Sequence, residues 1–183
     1  MPSHSPATAP SGIPVVAQLN ALVRRVAETA AWLNLVLIGV IIAQVILRYG
    51  FHHGLVPLEE LMWHLSSVAF MFGLAYGVSR DTHIRMDLIH AALGARTKAL
   101  LEILGILLLL MPFISIVFLH SLDWVADAYR MGESSSSPQG LPHRWVIKAV
   151  IPLSFLLLFL AALARLIAQF AILFSAAPRE PAR

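Results

Sequence analysis

The chain has 183 residues, of which 58% are hydrophobic and only 13% charged; the net charge is +3 and the mean hydropathy +0.79. An ordinary soluble domain is about 45–50% apolar and about 25% charged, so this chain has too few charges to cover a core with a wetted surface. A disordered chain, a nucleic-acid binder and a typical soluble enzyme are thereby excluded, and lipid is left as the main solvent.

Residues 1–14 carry Pro2, Pro6, Pro10 and Pro14 among Ser and Ala. They read as the start of a disordered tail that runs to residue 24. No charged start leads into a short apolar run, so this tail is not expected to be a secretory signal. A membrane domain is expected over 25–176, followed by a short tail over 177–183.

Four apolar blocks follow in order. Ala30 to Leu47, Leu61 to Ser79 and Ile103 to Leu122 carry no Asp, Glu, Lys or Arg, and Ala149 to Ala164 is interrupted only at Arg165. A bilayer core of about 30 Å needs about 20 helical residues, and backbone in lipid must satisfy its own hydrogen bonds. The fold class is therefore an all-α integral membrane protein with four transmembrane helices, over about 28–48, 59–80, 99–129 and 145–174. The fourth span requires Lys148 and Arg165 to snorkel toward opposite interfaces. Pro112 is expected to free the carbonyl of Leu108 and bend the third helix. Asp123, Asp127 and Arg130 should stand in water beyond that helix's membrane portion.

Between the second and third spans, Asp87, His90 and Gly94 share one helical stripe, and Ile84, Leu88, Ala91, Ala92 and Ala95 lie on another face. This predicts a short amphipathic helix over about 84–95, lying in the interface. Arg85 and Arg96 fall on its apolar side, which leaves an ordinary structured loop as the alternative. Nine Lys and Arg lie on the side of the termini and this middle segment, and four on the other. The positive-inside rule places both termini in the cytoplasm.

Several constellations carry chemical residue types. The stretch RYGFHHGLVPLEELMWH holds His52, His53, Glu59, Glu60 and His64, which are metal-ligand types. Glu59 and Glu60 also suit the positive end of the second helix's dipole, and that reading is preferred, with no metal expected. His64 and His120 are candidates for axial ligands of a b-type haem in a four-helix redox subunit. SRDTHIRMD at 79–87 is a charged turn, or a docking edge for another subunit. GESSSSPQGLP at 132–142 is a rigid polar turn that a soluble partner can reach. No G-x-S-x-G, H-E-x-x-H or P-loop is present. No carboxylate falls in the middle of a span, and Gln44 is the single strongly polar amide deep in the first. Intramembrane ionisable groups mark ion paths, so the chain reads as a partner rather than a carrier, and as no enzyme.

In this order and spacing, LRYGF at 47–51, PLEELMWH at 57–64, SRDTHIRMDLI at 79–89, GILLLLMP at 105–112 and SSSPQGLPHRWVIKAVIP at 135–152 carry a resemblance. The chain resembles the small membrane subunit of tripartite ATP-independent periplasmic (TRAP) transporters, the DctQ-like family, over about 25 to 175. The GLP-x-RW-x-IK-x-x-IP string and the MPF of the third helix are most similar to the branch associated with 2-oxo acids, lactate and related organic anions. The resemblance implies a large permease subunit that holds the substrate and ion sites and moves in an elevator-like way. It also implies a periplasmic solute-binding protein, and a small subunit that steadies the large one in the bacterial inner membrane without binding solute or cofactor. The long Pro-rich tail and the His52–His53 pair depart from the family pattern.

On this reading Glu59, Glu60 and Trp63 are expected to meet the partner or lipid headgroups at the extracytoplasmic end. Arg80, His83, Arg85 and Asp87 are expected to anchor the cytoplasmic turn. Pro138, Gly140, Leu141 and Pro142 are expected to shape the loop nearest the binding protein. An orphan scaffold of some other membrane complex is the remaining alternative.

Overall fold

A computed structural model describes residues 13–80 and 94–174, the side chains of Arg80 and Ala95 excepted. The interfacial helix expected over 84–95 lies almost wholly outside the described residues. All regular structure among the described residues is helical, and four helices are long and apolar enough to cross a membrane, as the sequence predicts. They are α1 (Pro14–Gly50), α2 (Val56–Arg80), α3, and α4 (Trp145–Phe174). Helix α3 is one rod in three stretches: Ala95–Gly105, a π-helical turn over Ile106–Leu110, and Met111–Arg130.

Helix α1 begins within the stretch that the sequence reading leaves as tail. Pro14 sits in its first turn, where the missing N–H costs nothing and the fixed φ suits a helix. The early turns have something to pack on: Val16 is buried with Ala164 and Ala168 of α4. At 37 residues α1 is about 55 Å long, well over the ~30 Å hydrocarbon core.

The π turn is the structure's answer to Pro112. A proline in mid-helix cannot donate, and its ring collides with the carbonyl four residues back. Widening the preceding turn relieves this, and the Met111 N–H bonds to the Ile106 carbonyl in an i→i−5 pattern. The rod continues to Arg130, where Gly132 (φ +60°) closes it. Glu133 N–H donates to Ala128 O (3.0 Å) and Gly132 N–H to Tyr129 O (3.1 Å), the paired bonds of a Schellman cap.

Helix α4 is the post of the bundle. It packs against α1, α2 and both halves of α3. It also holds most of the core, including Phe155, Leu157, Leu158, Ala161 and Ala162. Ala161, Ala162 and Ala75 of α2 have no exposed surface. Between helices in lipid there is little hydrophobic drive, so close approach over small side chains supplies the adhesion. The chain folds so that the α1–α2 and α3–α4 connections share one end, here the loop end. The start of α1, the end of α2, the start of α3 and the end of α4 share the other, the terminal end.

Leucine at Ala161 adds an isopropyl group to a seam with no free space, and overpacking of that kind costs about 1–3 kcal/mol. Ala161→Leu is expected to lower the thermal unfolding midpoint in mild detergent, whereas Ala31→Leu on the exposed face of α1 is expected to leave it unchanged.

Candidate partner-interface site and its polar clasps

At the loop end, three polar contacts tie α1 to α2 and α2 to the loop over 131–144. The buried Gln44 side chain lies beside Leu55 as a short strand would: its Nε2 donates to Leu55 O (3.2 Å), and Leu55 N–H donates to its Oε1 (3.3 Å). This amide fixes the α1–α2 turn. Arg48, in the last turn of α1, pairs with Glu59 in the first turn of α2. Glu60 reaches the other connection. Ser135 Oγ donates to Glu60 Oε1, and Leu141 N–H donates to Glu60 Oε2 (2.6 Å).

The same loop is closed on itself. Ser135 N–H donates to Leu141 O (3.2 Å), and Arg144 N–H to Glu133 O (2.9 Å). Gly140 lies where the loop crosses Glu60. A Cβ there would overlap the Ser135 side chain and stand 2.6 Å from Glu60 Oε1. So Glu60, Gly140 and Leu141, three of the residues singled out from sequence, are brought together, but by contacts within this chain.

A second ionic contact lies below the loop. Lys148 Nζ pairs with Glu133 Oε2 and stands 4.2 Å above the Trp124 ring, while Arg144 Nε is 4.0 Å from Glu133 Oε1. At the terminal end Arg165 pairs with Glu102 and donates from Nη1 to Val78 O (3.2 Å); Gln169 Nε2 donates to Glu102 Oε2 (2.6 Å). Ser79 Oγ donates to Asn20 Oδ1 (3.2 Å) nearby, tying α2 to α1. Neither Lys148 nor Arg165 snorkels. Their side chains are only 10% and 15% exposed, because a carboxylate on α3 or just after it lies at the same depth. Seventeen residues at 1.5 Å separate the two cations by about 26 Å along α4, close to the ~30 Å hydrocarbon thickness.

Of the other expected interface residues, Trp63, Pro138 and Pro142 are exposed, and Glu59 is taken by Arg48. The Arg80 side chain, His83, Arg85 and Asp87 lie outside the described residues. Trp63, Tyr49 and Phe51 project outward at the loop end, with Trp124 and Tyr129 at the same end of α3. Tyr129 and Trp145 meet edge to face at 5.5 Å. Such a girdle suits a headgroup layer. Among the described residues no cluster of His, Asp and Glu is placed to hold a metal ion. His120 lines a shallow cleft with Ser121, Trp124 and Ile151, and His64 is not among its lining residues.

Sequence reading missed Gln44 as a turn clamp, Ser135 as a Glu60 partner, and both ion pairs on α4. The last two left a signal. Glu102 and Arg165, like Glu133 and Lys148, are opposite charges flanking adjacent apolar runs at equal depth.

The arrangement defines a multi-pass helical membrane protein in which the described ion pairs Arg48–Glu59, Lys148–Glu133 and Arg165–Glu102 tie one element of the chain to another. The sequence pattern of the DctQ component of tripartite ATP-independent periplasmic transporters matches residues 37–171. That is well over half of the chain, which belongs to this family. Nothing matches it among curated proteins or among solved structures.

Two predictions follow from the clasps. Gly140→Ala should expel Ser135 from Glu60, and Glu60→Ala should leave the Ser135 hydroxyl and the Leu141 N–H without their acceptor. Each is expected to cost about 1–3 kcal/mol and to speed tryptic cleavage after Arg144 in detergent. Breaking a buried pair from one side costs about 3–5 kcal/mol, whereas replacing both partners with apolar groups is often nearly neutral. Chemical unfolding of Arg165→Met, Glu102→Leu and the double variant should therefore show the double variant more stable than either single one.

Proposed function

We propose that this chain is the non-catalytic small membrane subunit of a TRAP transporter. It packs on the large permease subunit and steadies its stationary scaffold during ion-coupled uptake of an organic anion, of the 2-oxo acid or related carboxylate class. A periplasmic binding protein delivers the solute. The chain sits in the bacterial inner membrane with both termini in the cytoplasm, the orientation favoured by nine Lys and Arg against four.

One observation supports the non-carrier role most directly. The carboxylates at the ends of the spans, Glu59, Glu60, Glu102 and Glu133, are all engaged by groups of this same chain. Charges that serve an ion or solute path must exchange partners during a cycle; these are committed to structure. What the chain offers a neighbour is apolar surface, with Trp63, Pro138 and Pro142 at its loop end and Arg80, His83, Arg85 and Asp87 at its cytoplasmic turn.

Tagged chain, expressed with the products of neighbouring genes and extracted in mild detergent, should bring down a large permease in equal amount. Recovery of the chain alone, or of a coloured haem protein, would overturn the reading. In whole-cell uptake of the organic anion, Glu60→Lys should impair transport more than removal of residues 1–14. Equal uptake in the two strains would count against a role for the loop-end clasp in assembly.

A further inference from the structure

One stripe runs along α1 at heptad-like intervals. Its first half, Val16, Val23, Ala27 and Ala30, is buried within the chain. Val16, for example, packs on Ala164 and Ala168 of α4. Its second half, Asn34, Ile38, Ile41 and Val45, is exposed. The far end of α1 remains tied to α2 through Gln44, so the uncovered half of the stripe is held in place without being packed.

Asn34 is a second amide in the first span, beside the Gln44 that the sequence pattern singles out. The nearest charges on α1 are Glu28, about 9 Å away along the helix, and Arg48, about 21 Å away; these two stretches together match the ~30 Å hydrocarbon core. The amide therefore stands among acyl chains, and its side chain is too short to snorkel about 9 Å to the headgroups. An asparagine amide offers two N–H donors and an acceptor oxygen. One N–H is used locally, Nδ2 donating to Ala31 O (3.1 Å). Among the described residues nothing engages the second N–H or Oδ1. Hydrocarbon has no group to meet them. A neighbouring membrane helix does, through Ser, Thr, Asn or Gln.

The ends of the stripe bear on which helix that is. A second copy of this chain would meet the stripe about a two-fold axis along the membrane normal, each residue against its twin. Arg48, three residues after Val45, would then face its own copy, and Arg24, three before Ala27, would do the same at the other end. Like charges would meet at both ends, which costs affinity. A helix of a different subunit carries no such penalty.

We propose that the Asn34–Ile38–Ile41–Val45 face of α1 docks a transmembrane helix of the large permease, with Asn34 hydrogen-bonded to a polar side chain at equal depth. This rests on the function proposed above, and adds to it the face and the anchoring residue. Ile38, Ile41 and Val45 are β-branched and hold few rotamers, so they lose little freedom on docking.

Asn34→Leu keeps the apolar face and removes the amide, whereas Asn34→Gln keeps an amide. Tagged wild-type and variant chains are co-expressed with the permease and extracted in mild detergent. The expected result is about three- to tenfold less permease recovered with Asn34→Leu than with wild type or Asn34→Gln, the range set by one interhelical hydrogen bond. The lone Asn34→Leu chain should melt no lower than lone wild type, because the side chain is exposed. In cells, photo-crosslinking benzoylphenylalanine at position 38 should join the chain to the permease. At position 36, also exposed but about 200° around the helix, it should not. Permease recovery with Asn34→Leu no lower than with wild type or Asn34→Gln would overturn the proposal and leave the subunit reading standing. So would crosslinking from position 38 no stronger than from position 36, or a crosslinked dimer of this chain from position 38. A lowered melting point of the lone Asn34→Leu chain would assign Asn34 to the chain's own packing and overturn it as well. Failure of wild type to bring down any permease would overturn both readings.

Discussion

A charge in an apolar medium must be paired, and that requirement organises this protein. Helix α4 carries two cations about 26 Å apart, and each finds a carboxylate on the third rod or just beyond it: Lys148 with Glu133, Arg165 with Glu102. Because both ends of α4 are held to the same neighbour, its depth and its rotation are set together. The alanine seams at 75, 161 and 162 then close the distance to α2. The loop-end contacts of Gln44, Arg48 and Glu60 add α1 and the long connection to a frame already defined.

Division of labour follows from the same constraint. A polar group at the end of a span that is committed to structure is not at liberty to exchange partners. Glu60 illustrates this well: both oxygens are used, and the glycine that would otherwise crowd them has no side chain to do so. Under the function proposed above, a chain built in this way would contribute rigidity and surface to a larger assembly and leave moving charges to others.

Much of this was legible in the sequence. Runs without charge marked the spans at Ala30–Leu47, Leu61–Ser79, Ile103–Leu122 and Ala149–Ala164 because lipid tolerates so little else. Gly140 and Glu60 drew notice through composition and position alone. Partner choice was less legible. Arg165 reads as a snorkelling cation when α4 is considered by itself, and only its proximity to Glu102 on another helix shows that it turns inward. Likewise Pro112 announces a disturbance, yet whether the backbone bends or inserts an i→i−5 turn depends on how the rod packs against α4. The early start of α1 was hidden because Pro14 is read as a breaker from one side and as a first-turn residue from the other.

The π turn over Ile106–Leu110 gives the third rod a fixed angular phase between its halves. Each residue in a helix turns the chain by about 100°. Glu102, before the turn, must face Arg165, while Trp124, after it, must face Lys148. Loss of a single residue between them would rotate one half against the other by about that angle and set one of the two meetings on the wrong side of the rod. Length in this short stretch is thus under tighter constraint than side-chain identity. Leucine, isoleucine and methionine can exchange along 106–111 with small penalties, but the number of residues there cannot change without dismantling one end of the bundle.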